Sequence, residues 1–173
     1  MIPIGKDRLT RSFPWVMWLL ILANLGAFAW QVMLGADGLE AWERLALVPA
    51  RLWRLPSGPW PEAIPAYLRS AWLPLLSSMF LHGGLLHVVG NLISLRVFGD
   101  QIEDRLGHLR FLGFYLACGV LAGLLHVAVA PLSTVPTIGA SGAIAGVLGA
   151  YLLLFPFEWV RFVVPILVFP VMV

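Results

Sequence analysis

Apolar residues along this chain fall into long blocks rather than alternating with polar residues. The blocks cover residues 14–34, 72–99, 111–130, 138–157 and 162–173. A helix that crosses a bilayer needs about 20 mostly apolar residues, so the first four blocks predict transmembrane helices. The last block holds 12 residues and predicts only the start of another helix. The pattern therefore predicts an all-α, polytopic transmembrane helical bundle with four complete spans plus a partial fifth.

The blocks also predict how the chain is divided. Residues 1–13 are a short charged segment, and residues 14–173 form the membrane domain. We expect this domain to be truncated after Val173, because the last block begins a helix without room to finish it. Between the first two blocks, residues 37–69 contain five prolines, three tryptophans and charges of both signs. Proline interrupts helices and tryptophan favours the headgroup level. We expect this segment to lie on or partly in one leaflet.

Positive charges predict the orientation. Lys6, Arg8 and Arg11 precede the first block, which favours a cytoplasmic amino terminus. Four crossings then place residues 37–69 outside and residues 100–110 inside. The segment predicted to lie outside nevertheless holds four arginines: Arg44, Arg51, Arg54 and Arg69. We expect the length of this segment and its acidic residues to weaken the effect of these arginines on the orientation.

Composition narrows the function classes. The chain is 60% hydrophobic and 12% charged, with a mean hydropathy of +0.90, as in an integral, multi-pass membrane protein that contacts lipid. No Lys/Arg cluster forms a basic patch, so no nucleic-acid partner is predicted. Cys118 is the single cysteine, which excludes an intrachain disulfide. We predict no cofactor and no metal, because His82 and His87 are five residues apart on different helix faces.

Ser141 carries the first candidate chemistry. It stands in Gly139-Ala140-Ser141-Gly142, at the head of an apolar block. Polar groups at membrane depth usually have a function, and flanking glycines let backbone amides approach a reacting group. The alternative is packing, because small residues recur every three or four positions up to Gly149. Taken alone, the segment favours packing.

His87 and Asn91 carry the second candidate chemistry. They are four residues apart, so both project from one helix face. Each can donate a hydrogen bond to a developing oxyanion, although the pair could also join two helices by hydrogen bonds. Beside a glycine-flanked serine, the functional interpretation is favoured. We expect His82 to anchor a loop, His126 to be a buried, hydrogen-bonded histidine, and His108 to be solvated.

Three motifs now carry a family resemblance. They are Met-Phe-Leu-His-Gly-Gly-Leu-Leu-His-Val-Val-Gly-Asn at 79–91, Phe-Gly-Asp-Gln-Ile-Glu-Asp-Arg-Leu-Gly at 98–107, and Gly-Ala-Ser-Gly at 139–142. In order and helix position they resemble the rhomboid family of intramembrane serine proteases. The resemblance implies a six-helix bundle with Ser141 as the nucleophile and with His87 and Asn91 stabilising the oxyanion. It implies structural roles for Glu103 and Arg105. We also expect structural roles for His82, Gly139 and Gly142.

The resemblance also implies what is missing. Rhomboid proteases take their general base from a histidine in the sixth helix, within Ala-His-x-x-Gly, and that position lies beyond Val173. Serine is a weak nucleophile without an adjacent base, so the 173-residue chain is expected to be inactive. His87 is disfavoured as a substitute, because a donor and a base use the ring in opposite ways. Implied substrates are single-pass transmembrane proteins, cleaved near the outer face of a bacterial cytoplasmic (inner) membrane.

Two other function classes stay open. A non-catalytic rhomboid-like protein would bind membrane helices without cutting them, but it would not need Ser141, His87 and Asn91 together. A small transporter or packing subunit would use the polar residues as a path through the membrane. No acidic residue lies within a spanning block and no inverted repeat is visible, which disfavours that class.

Overall fold

The structure, a computed structural model, describes residues 2–6, 11–35, 42–54, 59, 63–158 and 160–163, with only the backbone described at 2–6 and 160–163. The elements, in chain order, are β1 (Ile2–Lys6), α1 (Trp15–Leu34), α2 (Pro49–Leu52), α3 (Ala63–Tyr67), a π-helical turn (Leu68–Trp72), α4 (Pro74–Ser77), a 3-10 turn (Ser78–Phe80), α5 (Leu85–Leu106), α6 (His108–Val129), α7 (Ser141–Leu154) and β2 (Val160–Val163).

The membrane part is helical, as predicted. Within the described residues, α1 and α6 are long and apolar enough to cross a bilayer, and the stretch 63–80 together with α5 gives a third crossing if the bent pair is one span. Helix α7 has 14 residues, or about 21 Å at 1.5 Å per residue, against a hydrocarbon core of about 30 Å. The count of four complete spans therefore stays a prediction.

The second apolar block is not the single straight helix that its length predicts. The chain bends by 75° between residues 80 and 85. His82 lies in this break, where its backbone N–H donates to Oε1 of Gln31 at 2.9 Å and its carbonyl accepts from Nε2 of Gln31 at 3.2 Å. These bonds satisfy backbone groups that a continuous helix would otherwise pair.

Helix α1 begins at a carboxylate that α5 supplies. Pro14 precedes the helix and provides no capping side chain. The backbone N–H groups of Val16 and Met17 donate instead to the two oxygens of Glu103, at 2.9 and 2.7 Å. Glu103 is fully buried, and a negative charge is favourable at a helix amino terminus. His108 is exposed, as expected, but its Nδ1 also bonds Glu103.

Asp104 reinforces the same junction. Its Oδ1 accepts the N–H of Arg11 at 3.1 Å, and both the N–H and the hydroxyl of Ser12 at 2.9 Å. The start of α1 and the end of α5 are therefore joined by two consecutive carboxylates. Arg105, to which the resemblance gives a structural role, is exposed.

The partial fifth helix is wrong for the residues that the structure describes. Residues 160–163 form β2, which pairs antiparallel with β1, with Lys6 opposite Val160 and Ile2 opposite Val163. β-branched and aromatic residues such as Val160, Phe162 and Val163 favour an extended chain. The rest of that block, residues 164–173, lies outside the described residues.

Small residues join α6 to α7. A Cβ on Gly142 would lie 2.7 Å from Cβ of Ala122, and one on Gly146 would collide with Sγ of Cys118. Close approach of two membrane helices at such positions is the packing that the spacing of small residues favours. The segment after Ser141 therefore has a packing role, which is compatible with chemistry at its first residue.

Candidate active site

The loop that leads to Ser141 is fastened to the segment after α1. Leu47 and Thr137 exchange two backbone hydrogen bonds, from Leu47 N–H at 3.1 Å and from Thr137 N–H at 2.7 Å, and Ala50 N–H donates to the carbonyl of Ser133 at 3.0 Å. Backbone pairing fixes a loop independently of its side chains. The position of Ser141 therefore depends on residues almost one hundred positions earlier.

Gly139 brings the candidate oxyanion groups to the serine loop. Its φ of +123° is a conformation that favours glycine, and its N–H donates to the carbonyl of Ser78 at 2.9 Å. A Cβ at this position would lie 2.8 Å from Nε2 of His87 and 3.7 Å from Nδ2 of Asn91. The two side chains therefore converge on backbone just two residues before Ser141.

His82 orients Asn91. Nδ2 of Asn91 lies 3.0 Å from Nε2 of the buried His82 ring, while Nδ1 of that ring lies 3.3 Å from the carbonyl of Phe80. A carbonyl can only accept, so Nδ1 carries the proton and Nε2 accepts from the Asn91 amide. The second amide N–H of Asn91 is left for another acceptor. The sequence predicts a loop-anchoring hydrogen bond at His82, whereas the structure adds a contact of its ring with Asn91.

The ring of His87 carries its proton on the other nitrogen from that of His82. Gly83 N–H donates a long hydrogen bond of 3.4 Å to Nδ1 of His87, which leaves the proton of the neutral ring on Nε2, facing Gly139. The rings of His82 and His87 are 5.1 Å apart between centroids, because His82 lies in the break before α5 and not on a different face of the same helix, as the spacing predicts. The described residues nevertheless contain no group of three or more His, Cys, Asp or Glu that could hold a metal ion.

Ser141 is exposed at the start of α7. It lines a cavity of about 210 Å³ together with small residues of α6 and with His126. His126 is only partly buried, and within the described residues its ring forms no hydrogen bond. The expectation of a buried, hydrogen-bonded His126 is therefore wrong. Sequence reasoning passed over His126 because it stands alone on its helix.

No described side chain is bonded to the serine. Across residues 63–158 and the shorter described stretches, the Ser141 hydroxyl has no hydrogen-bond partner. An activated serine normally hydrogen-bonds its base, although such bonds often form fully only with substrate. The described site thus contains candidate oxyanion donors and a candidate nucleophile, without a group in contact that takes the proton.

Comparison with known proteins assigns the family. The family model described as "Rhomboid domain" matches residues 69–173, more than half of the chain. The chain belongs to the rhomboid family. This confirms the resemblance that the three motifs carry.

Several curated relatives share this rhomboid segment. The "Putative rhomboid protease YdcA" of Bacillus subtilis (strain 168) is 32% identical over 103 residues, 57% of this chain and 51% of the relative. The "RHOMBOID-like protein 5" of Arabidopsis thaliana is 37% identical over 78 residues, 45% of this chain and 25% of the relative. The "Rhomboid protease GluP" of Bacillus subtilis is 40% identical over 81 residues, 47% of this chain and 15% of the relative. The aligned part of this rhomboid thus covers about half or less of each of these relatives.

Proposed function

We propose that this rhomboid family member is an intramembrane serine endopeptidase that cleaves single-pass transmembrane proteins. Ser141 is the nucleophile, and Nε2 of His87, Nδ2 of Asn91 and the backbone N–H of Ser141 stabilise the oxyanion. The observation that carries the proposal is the convergence of His87 and Asn91 on Gly139, two residues before Ser141. Such donors are worth most where charge develops during the reaction.

The chemistry follows from these positions. Ser141 Oγ attacks the carbonyl carbon of the scissile peptide bond, while a base takes the hydroxyl proton and later gives it to the leaving amine. The Ser141 N–H is the first in α7 and so has no acceptor within that helix, which leaves it available to the oxyanion. Water then hydrolyses the acyl-enzyme. The positive end of the helix dipole favours the charge that builds up there.

The general base is not among the residues that contact Ser141 in the described part of the chain. The resemblance assigns it to a sixth-helix histidine, and no described side chain is hydrogen-bonded to Ser141. His126 is the histidine that shares a cavity with Ser141, which makes it the described residue to test against that assignment.

Helix α7 sets the depth of the reaction. At about 21 Å it is shorter than the hydrocarbon core, so its first residue lies inside the bilayer when its last turn lies at the opposite boundary. The N-terminal segment and the end of α5 share one side of the molecule, since Asp104 bonds residues 11 and 12. With Lys6, Arg8 and Arg11 inside, Ser141 faces the outer half of the membrane, as in the cytoplasmic membrane of a bacterium.

The test is cleavage of a single-pass reporter in cells that express either the 173-residue chain or the product of the complete open reading frame. We expect Ser141→Ala to abolish cleavage by whichever form is active, and Ser133→Ala, on the same loop, to leave it unchanged. Cleavage that persists with Ser141→Ala at equal expression would refute the proposed nucleophile.

A non-catalytic rhomboid-like protein is the second candidate. It is favoured by the lack of a hydrogen bond to Ser141 in the described part of the chain. A fluorophosphonate probe separates the two candidates, because it labels an activated serine and leaves an ordinary hydroxyl unlabelled. The protease predicts labelling that Ser141→Ala removes. A binding-only protein predicts no labelling, together with co-purification of the uncut reporter.

A further inference from the structure

The arginines of the segment after α1 gather around one cleft. Three of the four that oppose the predicted orientation, Arg44, Arg51 and Arg69, line a cleft of about 590 Å³ beside Trp30. The fourth, Arg54, does not line it. A size of 300–1,000 Å³ is typical of sites that hold a small organic ligand. The four residues thus differ in surroundings although they belong to one segment.

The walls of the cleft are apolar between these guanidinium groups. Trp30, Leu45, Ala66 and Leu73 contribute to them, and Ser70 adds a hydroxyl. Trp30 is 38% exposed and Leu73 is 43% exposed, so the cleft opens outward rather than into the helical core. A ligand that fits must have an apolar part as well as a negative charge.

The position of Trp30 on α1 favours a cleft at the level of lipid headgroups. Trp30 is four residues before the end of α1, about 6 Å along the axis at 1.5 Å per residue. Tryptophan is enriched at this boundary between headgroups and hydrocarbon. A ligand at this depth meets both phosphate and acyl regions of the surrounding leaflet.

No carboxylate belongs to the described lining. Nη1 of Arg51 donates to the backbone carbonyl of Glu43 at 3.1 Å, which orients the guanidinium without neutralising its charge. Glu43 is the acidic residue within the described stretches 42–54 and 63–80, and its side chain is not part of the lining. Arg51 and Arg69 therefore make the described part of the cleft complementary to an anion.

We propose that this cleft binds an anionic phospholipid, with its phosphate against Arg69 and Arg51 and an acyl chain against Trp30 and Leu73. The planar guanidinium group matches phosphate oxygens in pairs, which suits arginine to this position. A free phosphate ion would leave the apolar walls without a partner. The proposal is independent of whether the protein cleaves substrates, and it explains why arginines persist in the segment predicted to lie outside.

A second cleft, lined by other residues of the same segment, provides an internal reference. It measures about 580 Å³ and is lined by apolar and aromatic side chains of that segment and of α6, without a basic residue: Leu52, Trp53, Tyr67, Trp72, Leu124, Val127 and Ala128. We expect it to accept acyl chains without preference for headgroup charge. The charge preference of the whole protein should then depend on the first cleft.

The experiment measures lipid retained by the purified protein in native mass spectrometry, with phosphatidylglycerol and phosphatidylcholine offered at equal concentration. The parent protein should retain phosphatidylglycerol preferentially. Arg69→Gln should weaken that binding about tenfold, as expected for loss of a hydrogen bond to a charged group, and Arg69→Lys should lose less. Arg54→Gln, which removes the same charge outside the cleft, should stay within about twofold of the parent. Thermal unfolding confirms that each variant is folded.

Three outcomes would overturn the proposal. Equal weakening by Arg54→Gln and Arg69→Gln would mean that overall charge, not the cleft, attracts the lipid. Equal retention of the two lipids would remove the role of the anionic headgroup. Displacement of bound lipid by millimolar inorganic phosphate or by an acidic peptide would assign the cleft to a soluble anion or to a protein partner.

Discussion

Polar side chains at the two ends of α5 differ in their burial and in their hydrogen-bond partners. At the Leu106 end, Glu103 is completely buried and each of its oxygens accepts a backbone N–H of α1. At the Leu85 end, His87 is only partly buried and its Nε2 faces the backbone of Gly139. At the first end, the carboxylate oxygens form their hydrogen bonds within the fold. The second keeps donors available for a ligand.

This difference separates the part of the helix that stabilises the fold from the part that we propose takes part in the reaction. Buried carboxylates with both oxygens bonded hold two helices in one relative position. Donors held by other side chains, as Asn91 is held by His82, have a fixed direction and a free proton. Substitutions at the two ends should therefore affect different measurements.

The largest expected effect is on stability, at Glu103. Glu103→Ala leaves the N–H groups of Val16 and Met17 without their acceptors in a buried site, at about 1–3 kcal/mol each, so we expect a loss of about 4 kcal/mol in the free energy of unfolding. The free energy of unfolding is measured in mild detergent. Arg105→Ala, two residues away and exposed, should change stability by less than about 0.5 kcal/mol. Similar losses of stability for both variants would show that the buried carboxylate of Glu103 stabilises the fold no more than an exposed side chain does.

The next effect is on the reaction, at Asn91. Asn91→Ala removes a donor to the oxyanion and should lower kcat/KM about a hundredfold or more, equivalent to about 3 kcal/mol of transition-state stabilisation. Ser94→Ala, one turn further along α5, should not change the rate. Unchanged cleavage with Asn91→Ala would identify the His87 and Asn91 pair as packing residues.

A smaller effect is expected at His82, which acts through Asn91. His82→Phe keeps an aromatic ring but removes the acceptor for the Asn91 amide, and we expect kcat to fall about tenfold because the donor loses its direction. In the double variant with Asn91→Ala, the His82 change should add nothing. An additive loss would mean that His82 has a separate role, such as fixing the loop through Gln31.

The smallest effect is expected at His126. If the base comes from a sixth helix, His126→Phe should change kcat by no more than about twofold, whereas losing a general base costs about 10²–10⁴. The measurement is kcat as a function of pH in the product of the complete open reading frame. A loss of about a hundredfold, with disappearance of the acidic limb of the pH profile on which kcat rises as the base loses its proton, would make His126 the base.

The sequence predicts those features that local pattern determines. Long apolar blocks predict helical membrane segments, and the spacing of His87 and Asn91 predicts a shared helix face. Gly139 and Gly142 also occupy positions that need glycine, one for its φ of +123° and the other for close contact with Ala122.

Other features depend on contacts distant in sequence. No periodicity shows that Glu103 accepts from residues 87 and 86 positions earlier, or that Arg69 shares a cleft with Trp30. His82 was assigned to a helix face because the apolar block continues through it, although the Gly83-Gly84 pair was a visible sign of a break. The role of His82 toward Asn91 follows only once that break is known.

The Glu103 junction also constrains the order of events during biosynthesis. Helix α1 enters the membrane first, yet the acceptors for Val16 and Met17 lie 87 and 86 residues further along the chain. At translation rates of about 5–20 residues per second, those acceptors emerge roughly 4 to 17 s later. Until then the amino terminus of α1 must rely on water or on lipid headgroups for its N–H groups. Insertion of α1 and its final docking are therefore separate events, and the second waits for the end of α5.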